Sequence, residues 1–120
     1  DNRATRIVEA FEVSAALARS DGRPARVLVL SDGVEESDRF RLASKGRVDA
    51  TMGKQIAERQ GTPILEGIKV TMVGIGSPSV SGLGEFWNSW LRHAGAVVDR
   101  AGVAGQLITD PLECDLCRQP

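Results

Sequence analysis

The sequence predicts an α/β fold, a parallel sheet with helices on both faces in a Rossmann-like, three-layer arrangement. Two short aliphatic runs, Arg26 to Leu30 and Lys69 to Ile75, are bounded by Gly, Pro and Ser and are too brief to be helices. The segments around them carry apolar residues at three- and four-residue spacing, the period of a half-buried helix. Helix and strand alternate along the chain, as they do when parallel strands are joined by helical crossovers.

The first helix is read from Ala4 to Arg19, where Ile7, Val8, Phe11, Ala15 and Ala18 share a face; Ser20 to Pro24 stops it. Arg26-Val27-Leu28-Val29-Leu30 has no polar alternation, which predicts a strand buried on both faces and turned by Ser31-Asp32-Gly33. Asp38 to Ser44 reads as a short helix or a loop. Thr51 to Gln60 is a clearer helix that ends before Gly61-Thr62-Pro63. Lys69 to Ile75 is rich in β-branched residues, and Gly76-Ser77-Pro78 closes it. Leu83, Phe86, Trp87, Trp90, Leu91 and Ala94 form the sharpest helical stripe, with Glu85 near its start and Gly95 at its end. Trp87 and Trp90 are large enough to anchor a partner, but their spacing within the stripe favours the core. Ala96-Val97-Val98 opens a third strand.

With 120 residues the chain has material for one hydrophobic core. A hydrophobic fraction of 42% beside 26% charged residues belongs to an ordinary globular domain. Fifteen basic residues against sixteen acidic ones leave a net charge of −1, so no field draws the chain to nucleic acid or an anionic membrane. No apolar run approaches the roughly 20 residues of a membrane span. Cys114 and Cys117 form a CDLC pair in a tail, residues 109–120. Two thiols there fit a local disulfide, half of a shared metal site or free cysteines, and they fall outside the strand-to-helix setting of a redox motif.

Ligands of parallel sheets gather at the C-terminal strand ends. Asp32 stands at one such end, before a Gly that lets the chain turn; it suits a hard-cation ligand or a turn carboxylate that caps the next segment of chain. Thr5, at the start of the first helix, can cap that helix or add an oxygen to a metal site. Gly74-x-Gly76 could bring backbone amides to a phosphate, but position 79 is Ser79 and no Walker lysine comes after it, so a tight turn is the plain account. His93 is the lone histidine and lies at a helix C-terminus, where the dipole favours it. No Gly-x-Ser-x-Gly elbow accompanies it.

Ala4-Thr5-Arg6-Ile7 opening a helix, followed by Val27-Leu28-Val29-Leu30-Ser31-Asp32-Gly33, resembles the second half of a von Willebrand factor A domain. Leu65 through Gly76 is similar to that family's next strand, and Phe86-Trp87 through Gly95-Ala96 to the helix and strand after it. The resemblance covers roughly residues 3 to 100 and implies a divalent cation, usually magnesium, at the sheet's C-terminal edge. Its ligands in the family come from an Asp-x-Ser-x-Ser loop, a Thr at a helix start and an Asp in a strand-end Asp-Gly. Thr5 and Asp32 match the second and third. No Asp-x-Ser-x-Ser occurs, so the resemblance implies residues 1–108 to be the C-terminal part of such a domain, or else a degenerate member, with weak metal binding by this stretch alone.

The family's missing strand would pair with Val27 to Leu30, which leaves an edge for an upstream segment, a second copy or another chain to cover. The function expected is that of a protein-binding, adhesion-type module rather than a catalyst, its partner approaching near Asp32, Glu35 and Ser77, with Phe40 as a further exposed contact. The alternatives are a nucleotide- or small-molecule-binding α/β enzyme built on Asp32 and the loop from Gly74 to Ser77, or a scaffold with a vestigial metal site.

Overall fold

The computed structural model describes residues 6–22 and 26–104, and the Cys114/Cys117 pair and Thr5 lie outside them. Helix α1 (Ile7–Asp21) ends at Gly22, whose left-handed φ of 69° lets its N–H reach the Ala18 carbonyl. Strand β1 (Arg26–Leu30) comes next, then α2 (Ala50–Gln60), β2 (Lys69–Val73), α3 (Leu83–His93) and β3 (Val97–Ala104). The predicted helices and strands all form. Asp49 caps α2 by accepting the Met52 N–H at 2.9 Å, and the stretch from Asp38 to Ser44 is a loop pinned by an antiparallel bridge between Glu36 and Arg41.

The sheet order is β1-β2-β3, all parallel, with Arg26 beside Lys69 and Leu30 beside Val73. β3 pairs with β2 through a register irregularity between Val70 and Met72. β2 lies in the middle, and Val70, Thr71, Met72 and Val73 are all buried.

One connected core takes in Ile7, Val8, Phe11 and Ala15 of α1, Ala57 of α2 and the whole apolar stripe of α3, together with Val70 and Met72. Val27, Val29 and Val98 pack against it. The Phe11 ring lies 5.6 Å from Trp90 and 6.4 Å from Trp87, and Trp87 meets Phe86 edge-on. Helix α2 comes close to α3 because residue 53 is Gly; a Cβ there would stand 2.3 Å from the Phe86 carbonyl oxygen.

All three described helices contribute to this one core, on the side of Val27, Val29, Val70 and Met72; on the other face Thr71 and Val73 of β2 are buried but Leu28 and Leu30 of β1 are not. This corrects the reading of β1 as buried on both faces. Val27 and Val29 are partly covered, whereas Leu28 and Leu30 are 52% and 67% exposed. The continuous apolar run marks a strand of a parallel sheet, but β1 sits at the edge of the described sheet with helices over one side only.

Candidate functional site

The C-terminal ends of β1 and β2 carry the loops that the sequence picks out, and a direct bond joins them. The Gly76 N–H donates to the Asp32 carbonyl at 2.9 Å, and the Ser31 N–H donates to Val73 O at 3.0 Å. Asp32 and Ser77 therefore stand on one edge of the sheet. The Asp32 side chain is exposed and its Oδ1 accepts the Val34 N–H at 3.0 Å, an Asx turn that fixes the carboxylate.

Gly33 holds this loop down. Its φ is +86°, its carbonyl accepts the Trp87 indole N–H at 2.7 Å, and a Cβ there would press on Ile75 and Trp87. Only Gly fits without displacing the core. The Ser31 hydroxyl accepts the Gly33 N–H at 3.0 Å, so the backbone around Asp32 is tied on both sides.

A cleft of about 390 Å³ opens beside these loops, lined by Gly76, Ser77, Ser81, Gly82 and Glu85 among others. The hydroxyls of Ser77 and Ser79 are 3.0 Å apart. Gly82, the residue before α3, offers no side-chain cap, so the first amides of that helix are served by no neighbouring hydroxyl or carboxylate at that position. A larger groove of about 610 Å³ lies between α2 and α3, with Lys54, Arg92 and His93 in its walls. Arg92 Nε donates to Asn88 Oδ1 there, and His93 is exposed at the end of α3, one turn after Ser89 of the same groove. The strand-end cleft is smaller, but Gly76, whose N–H bonds the Asp32 carbonyl, is in its wall.

Two residues expected at a partner surface lie elsewhere. Glu35 is fully buried, and its Oε1 accepts the Ile7 N–H at 2.7 Å and the Val8 N–H at 3.1 Å. It caps α1 from a distant loop, a role that Arg6 at the helix start does not fill. Phe40 is partly buried, its ring 5.9 Å from Phe86 and 6.1 Å from Trp87, because the loop that carries it folds back over the aromatic cluster. The Glu35 cap was the residue role that sequence reasoning missed. The available signal was a helix start that offers Arg6 and Ile7 where Ser, Asp or Asn would normally serve the first amides.

Glu35 also ties the Asp32 loop to the start of α1, next to Thr5 in the chain. Its Oε2 and that of Glu36 are buried without a hydrogen-bond partner among the described residues. No group of three or more His, Cys, Asp or Glu side chains among the described residues is arranged to hold a metal ion. The one Asp32 carboxylate falls far short of the six or so oxygens that magnesium takes. No described helix is long and apolar enough to cross a membrane. Comparison of the chain with protein-family models, with curated proteins and with solved structures gives no match.

Proposed function

We propose that this chain is a protein-binding module of the von Willebrand A-like type, which receives its partner at the C-terminal edge of the sheet around Asp32 and Ser77. The observation that carries the reading is the Gly76 N–H to Asp32 carbonyl bond, which brings the two loops picked from the sequence onto one edge beside an open cleft. Parallel sheets bind ligands at that end because the strand-to-helix loops there carry exposed side chains on a rigid base. A partner group would meet the Asp32 carboxylate, the Ser77 hydroxyl and the start of α3.

Magnesium belongs to the same proposal. Asp32 would be one ligand and Thr5 a second, with water and a partner carboxylate filling the remaining positions. A cation would let an acidic partner group bind beside the acidic Asp32. The described residues do not complete such a site, so the reading requires weak binding by the chain alone.

Calorimetric titration of magnesium and manganese into the chain, with Asp32→Ala and Thr5→Ala as controls, tests the cation. Binding that both substitutions abolish is the expected result; binding indifferent to Asp32 would refute the site. The rival reading, a nucleotide or small-molecule site, would use the same cleft and the uncapped start of α3. A thermal-shift screen with nucleotides separates the two, since a ligand at a hundred times its Kd stabilises by roughly 2.7 kcal/mol.

A further inference from the structure

We propose that the groove between α2 and α3 binds a sugar phosphate, with the phosphate held by Lys54 and Arg92 and the sugar hydroxyls by Glu85 and Asn88. Glu85, Asn88, Ser89, Arg92 and His93 recur at i, i+3, i+4, i+7 and i+8, which makes them one polar side of α3 beside its buried stripe. Arg47 and Ser81 pair in parallel just before the two helices, and Gly53 lets α2 close on Phe86, so the helices run alongside in one direction. That alignment sets Lys54 across from the turn of Asn88 and Ser89. These side chains line one space of about 610 Å³, a size that suits a small ligand.

The polar groups of this groove are mainly donors. Arg92 Nε donates to Asn88 Oδ1 at 3.0 Å, which uses the amide's acceptor and leaves its Nδ2 and the Arg92 Nη groups to other partners. Among the described residues no side-chain hydrogen bond or ion pair engages Lys54, Glu85, Ser89 or His93. Two permanent cations, a hydroxyl and an amide match a phosphate dianion, whose oxygens accept several bonds at once. The α3 dipole accounts for Arg92 and His93 at the end of that helix, but not for Lys54 in the middle of α2. A phosphate fills a small part of the volume, so the rest of the ligand lies along the groove toward Glu85, the one acid in its wall. A carboxylate there accepts from hydroxyls. No Trp, Tyr or Phe lines the space, so a nucleobase would find no ring to stack on. Glu85 also borders the strand-end cleft, but Lys54 and Arg92 do not, and this site needs neither the cation nor Asp32.

Amide chemical shifts of the isotope-labelled chain, titrated with the terminal phosphate monoesters of ribose, fructose and glucose, test the site. At least one ester should shift the amides of Lys54, Ser89, Arg92 and His93 together, and bind at least about tenfold tighter than inorganic phosphate or the free sugar. Lys54→Gln and Arg92→Gln should each weaken that ester by about tenfold or more, with circular dichroism showing the fold intact, since both side chains are exposed. Glu85→Ala should weaken the ester but not inorganic phosphate, which brings no sugar hydroxyl to the carboxylate. Silence of those amides with every ester overturns the proposal. So does inorganic phosphate that binds as tightly as the esters, affinity indifferent to Lys54 or Arg92, or tighter binding of adenosine monophosphate or of a phosphoserine peptide. Shifts confined to the Asp32 and Ser77 loops would put the ligand in the strand-end cleft and overturn it as well.

Discussion

Replacing Glu35 is the sharpest perturbation of the link between α1 and the Asp32 loop. Its carboxylate accepts two amides that have no intrahelical partner, at 2.7 and 3.1 Å, and the side chain is fully buried. A hydrogen bond to a charged group contributes about 1.5–3 kcal/mol, and an amide left buried without an acceptor costs a similar amount. Oε2 offsets part of this gain because it is buried without a partner. Glu35→Ala should therefore destabilise the fold by about 3–5 kcal/mol, a large share of the roughly 5–15 kcal/mol that holds a typical domain. Glu35→Gln keeps the volume and one acceptor oxygen but loses the charge at the positive end of α1, and should cost about 1–2 kcal/mol. Urea unfolding followed by tryptophan fluorescence measures both, and hydrogen exchange at the Ile7 and Val8 amides locates the effect. The reasoning is refuted if alanine costs under about 1 kcal/mol, or if those two amides keep their protection without the carboxylate.

Other substitutions probe the close contacts and the loop tie. Gly53→Ala should cost about 1–3 kcal/mol in denaturant melts, because its Cβ would meet the Phe86 carbonyl oxygen at 2.3 Å and force α2 away from α3. Gly82→Ala should be at least as harmful, since residue 82 combines a φ of +85° with a Cβ position 1.8 Å from the Val48 oxygen. Trp87→Phe keeps most of the aromatic packing but leaves the Gly33 carbonyl without its indole donor; a loss of about 1–3 kcal/mol by chemical unfolding is expected. Glu12→Gln breaks only the pair with Arg39, in which both side chains are about 40% exposed, and should shift stability by less than about 1 kcal/mol.

The sequence made the elements legible because each obeyed one local rule. The stripe from Leu83 to Ala94 is buried along its length, and Arg26–Leu30 is a strand to the residue. Helix ends moved by a few residues where capping, not periodicity, decides. The environment of each side chain was less legible. Leu28 looks the same in a one-sided edge strand as in a two-sided central one, because burial on the second face depends on what packs there. Glu35 and Phe40 read as loop residues open to partners, and no local pattern shows that the loop folds back so that one caps α1 and the other stacks on Phe86. A buried carboxylate serving amides 27 and 28 residues away is a tertiary feature.

The same long-range bonds bear on how the strand-end edge would bind. Asp32 is held by its carbonyl through Gly76 and by its side chain through Val34, while its neighbour Gly33 is held through Ser31 and Trp87. Trp87 belongs to the buried stripe of α3, Gly76 to the loop after β2, and Ser31 and Val34 to the Asp32 loop itself, so the position of the carboxylate is fixed by the scaffold. A site held in this way loses little conformational freedom when a partner arrives, and ordering a side chain costs about 0.5–1.5 kcal/mol where it is not already held. Trp87→Phe should then weaken binding at the Asp32 edge even though residue 87 touches no partner, and the loss should appear in affinity rather than in the number of sites. Equal affinity in the Trp87→Phe and unaltered chains would mean that the indole tie stabilises the fold without ordering Asp32.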